Sequence, residues 1–399
     1  MFDGTDSQAM LDAAAASSGL SDFGDEWFRG PLDAWSQDLQ QSNLTPFGRG
    51  FLRMLAVRDL VRRLRVLDEL RRHPDIDDTP IPPIVYITGP ERSGTTLLHN
   101  LLARHTLART LLRWELMEPC PPPTAATHAS DPRIAAVQAS IDKLRGSLLE
   151  RMHWVNADEP EECVWGFVDA IGMLGQAACL CMPQWLNALR SIDPTPAYRN
   201  YRRVVQLLLW RNPVEPGGFL VLKAPQIALH AAAFAAVFPE ARFVVTDRDP
   251  YRCTVSMAAM GHSIIAPFCI DNPLTNDGLR QRLVASNLAL KLAALDAFTR
   301  GETRRVEHVA YPDLMAEPVA VARRILAAFD IASDEALPSR IEAFLQAQRS
   351  GARAAPPDDL PKMGYDHDEL LAAPVISDYC RRYAIAPERA RLTGGLAPS

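Results

Sequence analysis

The sequence has no Cys-x-x-Cys pair, although it contains seven cysteines among 399 residues. Disulfide frameworks and zinc sites use paired cysteines at short spacings, and an odd number cannot pair completely. We therefore interpret the cysteines as small buried apolar residues in a reducing compartment. The first twenty residues also lack a basic segment, because they carry Asp3 and Asp6 but no lysine or arginine. This pattern is not that of a secretory signal and predicts a cytoplasmic location.

Basic residues are in deficit: 42 lysines and arginines face 48 aspartates and glutamates, which gives a net charge of −6. Proteins that bind nucleic acid along an extended face usually have a basic excess, so we expect no nucleic-acid partner. One stretch, Cys163–Met182, approaches membrane-spanning length and carries a single charge, Asp169. Since the segments on both sides of it are expected to hold the same small molecule, we interpret it as a buried helix and predict no transmembrane segment.

Hydrophobic residues make up 48% of the chain and charged residues 23%, which is typical of a globular protein. Leucines recur at three-to-five-residue spacing within Phe51–Arg72, which predicts an amphipathic helix. Prolines at positions 80, 82 and 83 then end this region. We therefore divide the chain into a helical N-terminal region, residues 1–80, and a second region, residues 81–399, on which the first one packs.

Beyond the prolines, short β-branched segments alternate with helical ones, which predicts an α/β fold with a parallel sheet flanked by helices. The predicted strands are Ile84–Thr88, Leu111–Glu115, Phe219–Leu222, Arg242–Thr246 and Val306–Tyr311. The predicted helices are Thr95–His105, Gln226–Phe238, Tyr251–Met260 and Pro318–Phe329. Residues 119–213 interrupt the alternation and are predicted to form a helical insertion.

The segment after the first predicted strand, Gly89–Thr96, has the sequence GPERSGTT. A glycine-bounded loop between a strand and a helix directs backbone N–H groups and the positive end of the helix to one place, which makes an anion site. The spacing fits the ATP-binding P-loop, G-x-x-x-x-G-K-[ST], except that Thr95 stands at the lysine position. With Arg92 as the fixed charge, the loop suits an anion less charged than a triphosphate, with no obligatory metal. The expected fold is P-loop NTPase-like.

A second motif, DRDP, begins at Asp247 directly after a predicted strand, and Ser256 follows Arg248 by eight residues. An arginine at the carboxyl end of a sheet strand, with a hydroxyl nearby, can bind a second phosphate. Asp247 also fits the magnesium-binding aspartate of a P-loop enzyme. The residues alone therefore leave two alternatives open: a magnesium-dependent small-molecule kinase, and a nucleotide-binding protein without catalytic activity.

Together the two motifs resemble those of sulfotransferases that use 3′-phosphoadenosine 5′-phosphosulfate (PAPS), in particular a bacterial branch similar to tyrosylprotein sulfotransferases. The likeness lies in RSGTTLL after the first strand and in FVVTDRDP followed, after five residues, by a serine. It extends in the same order along the chain through WEL at Trp114, DEPEEC at Asp158, VLKAP at Val221 and YPDL at Tyr311. The chain departs from the family pattern at Ala224, where serine is frequent, and at Pro312, where an acidic residue is usual.

The resemblance implies a role for each motif residue. The loop would hold the 5′-phosphosulfate of the donor through Arg92, Ser93, Gly94, Thr95 and Thr96. Arg248 and Ser256 would bind the 3′-phosphate, and Lys362, in a PKMGY segment, would close over the donor. Lys223, at a strand end before Ala-Pro, would act on the group in transfer together with Arg92. The reaction would move a sulfuryl group from PAPS to a hydroxyl group without a metal.

The base that takes the hydroxyl proton is less clearly indicated. Cytosolic sulfotransferases use a histidine, and the tyrosylprotein branch uses a glutamate at the end of the second strand, which corresponds to Glu115. His153, Asp158 and Glu159 from the insertion are the alternatives. Because the insertion is rich in aromatic residues, we expect an apolar or lipid-like alcohol or phenol as the acceptor, with sugars and peptides as alternatives. Self-association of the chain stays open.

Overall fold

The computed structural model describes residues 4–143, 156–168, 182–265, 267–271, 277–301, 306–350 and 367–388. The strands of these residues are β1 (Ile84–Thr88), β2 (Ala108–Thr110), β3 (Phe219–Lys223), β4 (Ala241–Asp247) and β5 (Val306–Ala310). They form one parallel sheet in the order β2-β3-β1-β4-β5. In β1, Ile84 and Tyr86 pack in one hydrophobic cluster and Val85 and Ile87 in another, because successive residues of a strand point to opposite faces. The predicted parallel sheet with helices on its faces is confirmed.

Helices supply the layers on both faces of the sheet. Those before β3 are α1 (Ser7–Ser18), α2 (Arg29–Gln41), α3 (Pro46–Arg72), α4 (Thr95–Leu102), α5 (Arg113–Met117), α6 (Pro132–Asp142), α7 (Pro183–Ser191) and α8 (Thr195–Trp210). Those after it are α9 (Ala231–Val237), α10 (Pro250–Ile265), α11 (Asp277–Gly301), α12 (Tyr311–Ala316), α13 (Pro318–Ala328), α14 (Leu337–Ser350), α15 (His367–Leu371) and α16 (Pro374–Arg382). Short 3-10 helices cover Pro74–Asp78, His128–Ser130, Cys163–Gly166 and Pro225–His230.

The helix predicted within Phe51–Arg72 begins earlier, at Pro46. Thr45 caps it, because its hydroxyl oxygen accepts the N–H of Gly48 at 2.9 Å, and a proline suits the first helical position. Buried residues of α1, α2 and α3 share the hydrophobic cluster that contains Ile84 of the sheet. The division of the chain at residue 80 stays a prediction.

The predicted strand over Leu111–Glu115 is wrong. β2 ends at Thr110, and the following residues enter α5. The carboxylate of Glu115 accepts the N–H of Leu112 at 2.8 Å, so it closes the first turn of a helix at the place where a strand was expected. Of the apolar residues that suggested a strand, Leu111 and Trp114 are buried, and the half-buried Leu112 forms an antiparallel bridge with Pro160 outside the sheet.

The predicted insertion, residues 119–213, contains α6, α7 and α8. Its aromatic side chains mostly pack in the core: the ring centres of Trp185 and Trp35 lie 5.2 Å apart, and those of Tyr201 and Phe238 lie 5.8 Å apart. Residues 169–181, which include most of the stretch expected to form a buried helix, lie outside the described residues. In the part of the chain that the structure describes, none of the helices combines the length and apolar character that crossing a bilayer requires.

Candidate active site

The loop between β1 and α4 has the backbone of an anion site. Gly89 and Gly94 have φ angles of +142° and +96°, and Arg92 has a φ of +69°, in the left-handed region that residues with a side chain seldom adopt. A Cβ on Gly89 would lie 2.6 Å from the carbonyl oxygen of Thr246, so this close approach to β4 requires glycine. The loop leads into the first turn of α4, where the N–H groups of a helix have no partner within it. Backbone donors and the positive end of a helix therefore meet here.

The side chains of the loop divide into two groups. The Ser93 hydroxyl is buried and bonds the Pro90 carbonyl oxygen at 2.6 Å and the Thr246 hydroxyl at 2.5 Å, so it fastens the loop to β4. Thr95 is also buried. Thr96 is exposed, and its hydroxyl accepts a hydrogen bond from Lys223 Nζ at 3.3 Å. Any contact of Ser93 with a ligand would therefore come from its backbone.

The two predicted phosphate sites lie side by side. Arg92 Nε donates to Ser256 Oγ at 3.0 Å, and Arg248 Nη1 donates to the carbonyl oxygen of Arg92 at 2.9 Å. Burial, followed by the positive charge of Arg248, lowers the pKa of Arg92. The guanidinium carbon of Arg248 lies 3.9 Å from the ring centre of Tyr311, a cation–π contact. The positive charges of Arg92 and Arg248 repel each other, so an anion beside them would be stabilised.

Arg248 has a carboxylate partner that the sequence analysis missed. Glu388 accepts hydrogen bonds from Arg248 Nε at 2.8 Å and from Nη2 at 3.0 Å. The backbone of Glu388 is bound to the same turn, because its N–H donates to Asp249 at 2.7 Å and its carbonyl oxygen accepts from Arg252 at 3.2 Å. Burial alone would lower the pKa of Arg248, but the hydrogen bond to Glu388 raises it. A phosphate at Arg248 would share these N–H groups with Glu388 or take them over.

Lys223 ends β3 beside the loop and is 1% exposed. Besides its bond to Thr96, its ammonium group donates to Glu162 at 2.7 Å, and the other oxygen of Glu162 accepts from Gln226 at 3.1 Å. Burial and then the charge of Lys223 lower the pKa of the neighbouring His99 to about 3, so this histidine is uncharged at neutral pH. Lys223 thus brings a positive charge to the loop, and Glu162 brings a carboxylate to the same place.

Glu115, the predicted base, lies in a closed network. Its fully buried carboxylate forms an ion pair with Arg109, contacts His128 Nε2 at 2.9 Å and accepts the N–H of Leu112. Burial alone would raise the pKa of Glu115, but the charge of Arg109 and the hydrogen bonds lower it below its ordinary value. Among the hydrogen bonds and ion pairs of the described residues, none joins Glu115 to the loop or to Lys223.

Two of the other predicted residues cannot be placed. His153 and Lys362 lie outside the described residues, so their roles stay predictions. Asp158 is exposed and Glu159 is half-buried. Further along the same segment, Glu162 contacts Lys223.

Asp247, which kept the kinase alternative open, is bonded through both of its carboxylate oxygens. Tyr379 donates its hydroxyl hydrogen to Oδ1 at 2.8 Å, and His308 Nδ1 lies 2.7 Å from Oδ2. The residue is 3% exposed, and its partners belong to α16 and β5. Asp247 thus ties the helix near the C-terminus to the sheet. Among the described residues, no group of three or more His, Cys, Asp or Glu side chains could hold a metal ion.

A parallel sheet with a glycine-bounded loop after its central strand β1, and with cationic side chains at the ends of β3 and β4, is typical of P-loop-like proteins. A comparison with protein-family models identifies the family within this class. The model described as "Sulfotransferase family" matches residues 83–335, and the chain belongs to that family. The protein is therefore a sulfotransferase.

Solved structures agree with this assignment. The chain is similar to sulfotransferase STF9 from Mycobacterium avium, with a TM-score of 0.86 and 26% identity over 97% of this chain and 99% of that one. It is also similar in fold to sulfotransferase STF1 from Mycobacterium tuberculosis H37Rv, with a TM-score of 0.79 and 22% identity over 93% of this chain and 98% of that one. A comparison with curated proteins finds no significant match.

Proposed function

We propose that this sulfotransferase takes its sulfuryl group from PAPS and transfers it to a hydroxyl group of an apolar acceptor. The observation that carries the proposal is the approach of Arg92 to both Arg248 and Ser256 beside the loop. A nucleotide with a 5′-phosphosulfate and a separate 3′-phosphate carries two anionic groups, which suits two adjacent cationic groups. Thr95, in place of the P-loop lysine, also favours a group less charged than a triphosphate.

Lys223 and Arg92 would stabilise the charge that develops during transfer. The acceptor oxygen forms a bond to sulfur while the bond from sulfur to the phosphate oxygen breaks, so negative charge spreads over the sulfuryl and phosphate oxygens. The ammonium group of Lys223 is bonded to Thr96, in the first turn of α4, so it is close to the backbone donors of the loop. Transfer of this kind depends on positioning and charge more than on covalent help from the enzyme.

We propose Glu162 as the base, in place of Glu115. The Glu162 carboxylate touches Lys223, which would act on the sulfuryl group, whereas the oxygens of Glu115 are bonded elsewhere. The proton of the acceptor hydroxyl would pass to Glu162 as the new oxygen–sulfur bond forms, and adenosine 3′,5′-bisphosphate would leave. Gln226 holds the second oxygen of Glu162 and so orients the carboxylate.

The surroundings of Glu162 favour an acceptor with an apolar body. Cys163 and Val164 follow it and are buried, and Trp165 is half-buried, with the guanidinium carbon of Arg113 4.5 Å from its ring centre. The half-buried ring of Trp165 would match a phenol, or a sterol-like or lipid-like alcohol, better than a sugar. The cytoplasmic location stays a prediction, and self-association stays open.

Turnover of PAPS labelled with sulfur-35 tests the proposal. The assay would contain EDTA and a panel of phenols, sterols, sugars and peptides. We expect label transfer to a phenol or an apolar alcohol, at a rate that added magnesium does not change. The matched assay supplies magnesium and ATP labelled on the γ-phosphate with the same acceptors. Phosphoryl transfer without sulfuryl transfer would contradict the proposal and favour the kinase alternative.

A further inference from the structure

Glu91, within the loop, forms an ion pair with Lys291 of α11. Both side chains are shielded from water: that of Lys291 is 4% exposed and that of Glu91 is 16% exposed. Leu288 and Leu295 lie on the same face of α11 as Lys291 and are buried in a hydrophobic cluster. A charged group on such a face is costly unless it has a partner of opposite sign, so Lys291 and Glu91 depend on each other.

Glu91 places a negative charge in a loop that has to hold an anion. It directly precedes Arg92 in the chain. Its charge also reaches the anion site: burial raises the pKa of Cys253, one turn before Ser256 in α10, and the charges of Arg248 and Glu91 both act on that thiol. A carboxylate in the residue next to Arg92 would repel a phosphate held by the loop unless the charge of that carboxylate were neutralised. The ammonium group of Lys291 supplies that neutralisation.

The same ion pair helps to fix the shape of the loop. The left-handed backbone at Arg92 persists only if the surrounding structure enforces it. Ser93 fastens the loop on one side through its hydroxyl, and Arg248 holds the carbonyl oxygen of Arg92. Lys291 holds the side chain of Glu91 on the other side. Of these three anchors, Lys291 is the one that neither sequence motif contains.

We infer that Lys291 is a positioning residue of the donor site, which neutralises Glu91 and holds the loop in the shape that binds the donor. The inference rests on the proposed function, because it takes the loop as the site of the 5′-phosphosulfate. Lys291 acts through Glu91 and not by contact with the donor. Removal of both charges together should therefore harm donor binding far less than removal of Lys291 alone.

The test is a double-mutant cycle on the affinity for adenosine 3′,5′-bisphosphate, measured by isothermal titration in EDTA. We expect Lys291→Met to weaken binding about 10–100-fold, because it leaves the Glu91 carboxylate unpaired in the loop. The double variant Lys291→Met/Glu91→Gln should bind within about threefold of the wild type. Lys143→Met makes the same chemical change at an exposed position and should leave the affinity unchanged. Circular dichroism and melting temperatures establish that each variant is folded.

Wild-type affinity in Lys291→Met would overturn the inference. So would a double variant that binds as weakly as the single one, because Lys291 would then act by another route than Glu91. If Lys291→Met does not fold, Glu91→Gln decides: binding within about threefold of the wild type supports the inference, and a loss above about tenfold overturns it. A wild-type protein that does not bind the nucleotide at all would instead show failure of the proposed function, and the inference would fall with it.

Discussion

The donor side and the proposed acceptor side of this site hold charged groups in different ways. On the proposed donor side, the guanidinium group of Arg248 bonds the carbonyl oxygen of Arg92, and its charge acts on the Arg92 side chain. Arg92 has no ion pair with a described residue, while Arg248 has one, with Glu388. On the acceptor side, Glu115 is enclosed by Arg109 and His128. Like charges held together are stabilised by a further ion of opposite sign, whereas a fully bonded carboxylate needs none. Incompletely balanced charge is therefore what we expect of a binding site, and fully balanced buried charge is what we expect of a structural role.

Both oxygens of Glu162 are also bonded, to Lys223 and Gln226, but these partners differ from those of Glu115. Lys223 in turn reaches the first turn of α4 at Thr96. Under the proposed function, Lys223 acts on the group in transfer, so its contact would place Glu162 next to the reaction. The partners of Glu115 are instead Arg109, His128 and the N–H of Leu112. Substitution of each glutamate by glutamine tests whether Glu162 acts in the reaction and Glu115 in the structure.

The largest effect is expected at Glu162. Glu162→Gln should lower turnover about 10²–10⁴-fold at saturating donor, the usual loss for a general base, with little change in the affinity for adenosine 3′,5′-bisphosphate. Glu115→Gln, the matched control, should lower turnover much less and thermal stability more, because it breaks a buried ion pair. Steady-state rates with one acceptor measure both. If Glu115→Gln lowers turnover more than Glu162→Gln does, Glu115 is the base and the proposed difference between the two carboxylates is wrong.

The next effect is expected at Lys223. Lys223→Met should lower turnover about 10²–10³-fold, as for a group that stabilises charge in the transition state, while the affinity for adenosine 3′,5′-bisphosphate changes less. The rate at saturating donor and the dissociation constant separate these two effects, with Lys143→Met as the control. Turnover that survives while only donor affinity falls would make Lys223 a binding residue.

The smallest effect concerns stability in acid. The pKa of Glu115 is lowered in the folded protein: burial raises it, but the charge of Arg109 and the hydrogen bonds outweigh burial. A lowered pKa gives stability that is fully present above the pKa of the unfolded chain, about 4.3, and is lost as the pH falls through the folded value. The difference in free energy of unfolding between the wild type and Glu115→Gln should therefore shrink below about pH 4. Urea unfolding at pH 7, 5 and 3.5 measures it, and a constant difference would show that Arg109 and His128 do not stabilise the charged form.

The elements that sequence reasoning located well are those with a local signal. The strand Ile84–Thr88 was predicted with its observed bounds, and β3 and β4 within one residue at each end, because buried β-branched runs stand between turn residues. The glycine-bounded loop followed from eight consecutive residues. The second strand was misplaced because Leu111–Glu115 contains apolar residues that are buried without joining the sheet, and because helix capping by Glu115 has no periodic pattern.

The proposed site residues that sequence reasoning missed are those that the fold brings together from distant parts of the chain. Glu162 is 61 residues from Lys223, Glu388 is 140 residues from Arg248, and Lys291 is 200 residues from Glu91. Neither composition nor spacing indicates which carboxylate meets which cation over such separations. The motifs therefore indicate a candidate donor site, while the partners of its charged groups required the three-dimensional structure.

The donor assignment is tested most directly by the affinities of two nucleotides that differ only in the 3′-phosphate. Isothermal titration in EDTA would compare adenosine 3′,5′-bisphosphate with adenosine 5′-phosphate, for the wild type and for Arg248→Ala. We predict that the wild type prefers the bisphosphate, and that Arg248→Ala loses about 1.5–3 kcal/mol of its binding free energy, the contribution of charged hydrogen bonds, with little change for the monophosphate. Equal wild-type affinity for the two nucleotides, or binding of magnesium-ATP that does not depend on Arg248, would contradict the assignment of PAPS as the donor.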